Sequence, residues 1–142
     1  MENFVAANAE SRARLRVFLD RVRDGDLERS LPDGRTGKES LAHLAFYDQR
    51  ALALKKSWST AGVQASPIDP DIVNEALVPL LQQLPVRAAR NLALQAAASI
   101  DALIADAPAA LIRAILSRAT QFHLARAIHR NAHMEKLESL LT

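Results

Sequence analysis

The sequence predicts an all-α protein, four helices packed as a bundle with a short extra helix between the second and the third. Three observations carry that expectation. Alanine occurs 27 times and glycine four times in 142 residues, and alanine has the best intrinsic helix propensity while glycine has nearly the worst. Apolar residues recur at spacings of three and four over long stretches. Proline, glycine and capping residues punctuate those stretches where helices would start and stop. The chain, 1–142, suits one domain large enough to bury a single core without disulfide or metal staples.

The first helix is expected from about Phe4 to Arg23, with Ser11, Leu15, Phe18, Leu19 and Val22 on one face and Gly25 as its stop. Asp26 to Arg35 is a linker holding the turn sequence Pro32-Asp33-Gly34. Thr36-Gly37-Lys38-Glu39 then forms a capping box, so the second helix begins at Gly37. Along it Ser40, His43, Leu44, Tyr47, Ala51, Leu54 and Trp58 share a stripe, with His43 near one edge. After a loop from Gly62 to Pro67, Asp69-Pro70 reads as an N-cap followed by proline in the first helical position. Pro79 and Pro85 interrupt the next stretch, Asp71 to Gln83, which is therefore expected to be a short or kinked helix across the bundle, either a lid or a plain connector. The third helix runs from near Pro85 to about Ala105 with Ala89, Leu92, Ala96, Ser99, Ile100 and Leu103 inward. Asp106-Ala107-Pro108 breaks the chain, and a helical segment from Ala109 leads into the fourth helix, roughly Ala119 to Leu141.

Composition narrows the chemistry. Eighteen basic and sixteen acidic residues leave a net charge of +2, and the two signs alternate without blocks, so no nucleic-acid partner is expected. The basic set is 14 Arg to four Lys, which fits a GC-rich bacterial source. There is no apolar run of the roughly 18 residues that a membrane span needs and no signal-peptide pattern, so the expected location is the cytoplasm. With no cysteine, any metal must be held by nitrogen and oxygen ligands. There is no GxGxxG, P-loop or GxSxG motif.

The candidate site is a set of three histidines. His129 and His133 lie four residues apart, which on a helix stacks both rings on one face where they can chelate a single ion. They interrupt a stripe formed with Phe122, Arg126, Leu137 and Leu140, and His43 interrupts the stripe of the second helix in the same way. Three imidazoles with the remaining positions open to water suit a catalytic rather than a structural zinc, nickel, iron or manganese site. The plainer alternative is a pair of half-buried or surface histidines. His123 points about 100° away from the shared face and is left out. Arg50, flanking the His43 face with Asp48, is a candidate for a substrate carboxylate or for an ordinary ion pair. Arg126 is a candidate substrate or supporting group or a snorkelling cation, Tyr47 a candidate proton donor or a core aromatic, and Trp58 a core or dimer-interface residue.

Gly34-Arg35-Thr36-Gly37-Lys38-Glu39-Ser40-Leu41-Ala42-His43-Leu44-Ala45-Phe46-Tyr47-Asp48 resembles the start of helix two in DinB-like proteins, and His129-Arg130-Asn131-Ala132-His133 resembles that family's HxxxH. The superfamily includes the YfiT-like thiol transferases and the N-terminal domain of mycothiol-dependent maleylpyruvate isomerase. The resemblance follows the chain in order and length, with specific motif content in about 20 residues. It implies an up-down-down-up bundle, often a homodimer, with His43, His129 and His133 binding a divalent metal. It departs from the family at Arg35, where Trp is common, and at Arg130, where an aromatic residue is common, so the pocket edge is expected to differ.

Two functions of different class follow. In the first, the metal activates a water or a low-molecular-weight thiol against a small electrophilic substrate, as a thiol transferase or hydrolase, with the thiol supplied by a cosubstrate. In the second, the same pocket binds or sequesters a small apolar ligand without turnover in a dimeric bundle.

Overall fold

The computed structural model describes residues 3–142. Among them are six α-helices, α1 (Phe4–Arg21), α2 (Gly37–Ala61), α3 (Pro70–Gln83), α4 (Val86–Asp106), α5 (Ala109–Arg118) and α6 (Arg126–Leu137), and no strand. No helix among the described residues is long and apolar enough to cross a membrane.

The capping box at Thr36 forms in both directions: Glu39 N–H donates to Thr36 Oγ1 at 3.1 Å, and Thr36 N–H donates to the Glu39 carboxylate at 3.3 Å. Gly37 follows because nothing larger fits, since a Cβ there would lie 2.6 Å from Leu140 Cδ1 and 3.2 Å from the Leu27 backbone. The helix ends at Gly62, whose φ of 87° is a conformation other residues adopt only with strain. Asp69 caps α3, and Pro79 is contained within that helix without ending it. Pro79 has neither a side chain that must be buried nor a donor to satisfy, and the position is exposed.

Helix α1 packs on α4 and α6, α2 packs mainly on α4 and also on α6, and α3 sits on α2. The apolar interior is split. One cluster gathers Leu15, Phe18 and Leu19 of α1, Leu41 and Leu44 of α2, Ala89, Ala93 and Ala97 of α4, and Met134 and Leu137 of α6. The other gathers Ala51 and Trp58 of α2, Ile100 and Ile104 of α4, Ile115 of α5, and Leu124. Between them runs a belt of buried polar side chains, Asn8, Ser11, Asp48, Asp101, Arg126 and Arg130. Helix α1 runs from Phe4 at the second cluster through the belt into the first and α6 from the belt into the first, whereas α2 and α4 start in the first cluster and cross the belt into the second.

Three expectations need correction. The last helix does not run from Ala119: α5 stops at Arg118, Gln121–His123 is a 3-10 turn, and α6 begins only at Arg126. Phe122 falls in that turn and is 51% exposed, so it does not belong to the inward stripe. On α4 the buried face is rotated: Ala93, Ala97, Asp101 and Ile104 are buried with Ala89, Ala96 and Ile100, while Ser99 is exposed and Leu92 and Leu103 are half-buried. On α2 the buried residue between Ala51 and Trp58 is Lys55, while Leu54 is only half-buried.

Candidate metal centre

The three expected histidines converge. His43 comes from the second turn of α2, and His129 and His133 from successive turns of α6. One ligand nitrogen from each lies within 4.8 Å of the other two. The ring centroids are 4.8 Å apart for His43 and His133, 5.5 Å for His43 and His129, and 4.7 Å for His129 and His133. Zinc–nitrogen bonds of about 2.0–2.1 Å place tetrahedral donors about 3.3 Å apart, so ring rotations that bring the nitrogens together by an ångström or so complete a chelate. His43 and His133 are buried and His129 is half-buried.

Electrostatics keep these rings in the form a metal needs. Burial first, then the positive charge of Arg35 and the neighbouring imidazoles, pushes His43 down to about 3. Burial with His133 and Arg126 nearby pushes His129 to about 4, and burial with Arg35 and Lys136 nearby pushes His133 to about 4. All three are neutral at pH 7, with a lone pair on each ring. Few of those nitrogens are used internally. Ser40 Oγ lies 3.4 Å from His133 Nδ1, and among the described residues no hydrogen bond reaches the ring of His43 or His129. No carboxylate joins the group, and the nearest buried one, Asp48, is consumed by two arginines. A set of neutral imidazoles without a fourth protein ligand fits a divalent ion with open positions.

A cleft of about 330 Å³ opens beside the cluster, lined by His43, Tyr47, Ile68, Pro70, Asn74, Phe122, Arg126 and His129. Larger clefts lie elsewhere, one of about 620 Å³ near Phe4 and Ile112, but neither it nor the one beside Trp58 carries a comparable group of donors. The other candidates sort by position. Tyr47 is on the cleft wall, its ring 4.9 Å from His43 and 5.5 Å from His129, and its hydroxyl donates to Asn74 Oδ1 of α3 at 2.7 Å. Arg126 also lines the cleft. Its Nε donates to Asp48 Oδ1 at 2.9 Å and its Nη1 to the Phe122 carbonyl at 3.1 Å, so it is buried rather than snorkelling. Arg50 turns away to the loop before α3, where Nη2 donates to the Ser66 carbonyl at 2.7 Å, and it is not part of the cleft. His123 stacks edge-on to buried Trp58 at 5.0 Å, away from the cluster.

The sequence reading missed Arg130. Expected at the pocket edge, it is instead 1% exposed and forms the centre of the polar belt. Its Nη1 donates to Asn8 O, Ser11 Oγ and Asp101 Oδ2, and its Nη2 to Asp48 Oδ2 and Asp101 Oδ1, at 2.9–3.2 Å. The available signal was the set of lone polar residues on apolar faces, Asn8 and Ser11 on α1, Asp48 on α2 and Asp101 on α4. Asp48 is thereby the link between the belt and the site, since it holds Arg130 with one oxygen and Arg126 with the other.

Compared with family models, curated proteins and solved structures, the chain matches none.

Proposed function

We propose that His43, His129 and His133 hold a divalent metal ion and that the protein is a metal-dependent enzyme of the transferase or hydrolase type. The convergence of three neutral, sparsely hydrogen-bonded imidazoles, two of them on the wall of a cleft, carries this reading. When bound, such an ion lowers the pKa of a water or thiol and so supplies a nucleophile at neutral pH. The chain itself does the holding and orienting. Ser40 engages Nδ1 of His133 and leaves the other ring nitrogen as donor. Asp48 and the Phe122 carbonyl fix the Arg126 guanidinium at the cleft. Tyr47, tied to Asn74, secures α3 over the opening and gives that helix the character of a wall rather than a distant connector. A thiol nucleophile would come from a low-molecular-weight cosubstrate, since the chain has no cysteine.

The resemblance to DinB-like proteins supports the same reading. Helices α1 and α6 run one way through the polar belt and α2 and α4 the other, the order expected of an up-down-down-up bundle with α3 as the additional helix. Homodimerisation belongs to this proposal too, as an expectation of that resemblance. The test is metal content by plasma mass spectrometry on untagged protein purified without chelator, native beside His129→Ala. Near-stoichiometric metal in the native protein alone supports the proposal. If both are empty and neither takes up zinc, nickel or manganese on titration, the enzyme reading falls, and the alternative of a bundle binding a small apolar ligand takes its place.

A further inference from the structure

The cleft has a directional chemistry that the histidines alone do not explain. Of the three nitrogens of Arg126, Nε is taken by Asp48 and Nη1 by the Phe122 carbonyl, while Nη2 makes no hydrogen bond among the described residues. The residue is 8% exposed, yet Nη2 is not among the occluded polar atoms that lack a partner; Arg130 Nε is. The side chain lines the cleft. A guanidinium more than nine-tenths buried, fixed at two nitrogens, thus has a free N–H donor there. Ile68, Pro70 and Phe122 supply apolar lining to the same cleft, and Phe122 is 51% exposed.

Charge favours an anion. Asp48 is shared between Arg126 and Arg130, and Asp101 between Arg130 and Arg12, so three guanidinium groups face two carboxylates. Lys55, 1% exposed, adds an amine whose one hydrogen bond among the described residues is to the Ala51 carbonyl at 3.4 Å. The carboxylates of the belt therefore leave the guanidinium at the cleft incompletely neutralised, and a guanidinium in a site sheltered from water binds a carboxylate through a charge-assisted hydrogen bond. A volume of about 330 Å³ lies near the lower end of small-molecule pockets, about 300–1,000 Å³.

We infer that the cleft takes a compact organic acid, its carboxylate on Arg126 Nη2 and its apolar body against Ile68, Pro70 and Phe122. This names the substrate class of the proposed site and rests on that reading only in taking the cleft beside the histidines as the working one. The neutral isostere of such an acid leaves the Arg126 N–H without an anionic partner and binds more weakly.

The test uses benzoate and benzamide, titrated by NMR chemical-shift perturbation into metal-free and zinc-loaded protein. The expected result is that benzoate shifts the signals of α6 and α3 around the cleft and binds at least about tenfold more tightly than benzamide, in the metal-free form as well. Arg126→Gln removes the preference for the acid. Phe122→Ala, at an exposed position that the fold does not depend on, weakens both ligands by several-fold with the spectrum otherwise unchanged, so a folding defect in Arg126→Gln cannot decide the matter alone. Both variants keep zinc uptake. Equal binding of acid and amide, binding of neither, or a preference for benzoate that persists in Arg126→Gln overturns the inference. Loss of zinc uptake in the native protein with acid binding intact would instead sink the metal reading alone.

Discussion

His129 and Arg130 are neighbours in the chain and serve opposite ends. Arg130 reaches three other helices, where Asn8 O and Ser11 Oγ of α1, the Asp48 carboxylate of α2 and the Asp101 carboxylate of α4 accept its hydrogen bonds. His129 faces His43 and Tyr47 of α2, with His133 of its own helix beside it and an open cleft in front, and among the described residues no hydrogen bond reaches its ring. A buried polar group normally finds its partners inside the protein. In the belt Arg130 finds five hydrogen bonds, with only its Nε left unpartnered among the described residues, and the outcome is a cross-link among four helices. In the histidine cluster the buried groups do not find them, and donor capacity is left for something from outside. The difference separates polar residues that hold the fold from those that act, although both are buried and both lie on the same helix.

The comparison predicts different failures. Arg130→Met should do the most damage to the fold, because it takes one of two guanidinium partners from each of the buried carboxylates Asp48 and Asp101: a loss of about 3–5 kcal/mol in urea unfolding, whatever the metal content. His129→Ala should do the reverse, leaving metal-free stability within about 0.5 kcal/mol while weakening zinc by at least about 100-fold in competition with a chromophoric chelator. Equal stability losses in the two variants would erase the distinction between the regions.

Lys55 sharpens the contrast, being a buried cation that the belt fails to pair. Burial, then the charge of Arg126, lowers it to about 7 from 10.5. Between those values the unfolded chain binds more protons than the folded one, so stability contributed through this residue rises with pH from about 7 to 10.5. Lys55→Met should raise stability at pH 7 by about 2 kcal/mol and abolish that rise, as measured by unfolding at a series of pH values. The smallest effect belongs to Ser40→Ala, which removes the one hydrogen bond to a candidate ligand among the described residues: zinc affinity should drop about tenfold with unfolding unchanged.

Helix class, capping box and the His129–His133 pair were legible in the sequence because each is a local pattern, and His43 joined the pair through the apolar stripe it interrupts and the resemblance of its segment. Thr36 and Glu39 make their bonds three residues apart, and His129 and His133 share a face by spacing alone. What could not be read was long-range pairing. Helix α6 lacks a capping side chain at Ala125; its second N–H, from Ala127, donates to Asn8 Oδ1 of α1 at 2.9 Å. With the cap supplied from 119 residues away, no local signal marked the start at Arg126, and the segment merged with what precedes it. Arg130 was misplaced for the same reason, since its partners come from three other helices. Arg50 flanks the histidine face in helical projection, but its long side chain leaves that face for Ser66, which spacing does not reveal.

The most direct test is X-ray absorption at the zinc edge on protein loaded with one equivalent of zinc. The account predicts nitrogen and oxygen neighbours at about 2.0 Å with outer-shell scattering from three imidazoles, reduced to two or lost altogether in His43→Ala. A zinc that shows one imidazole or none, or the same spectrum in native and His43→Ala protein, would contradict it.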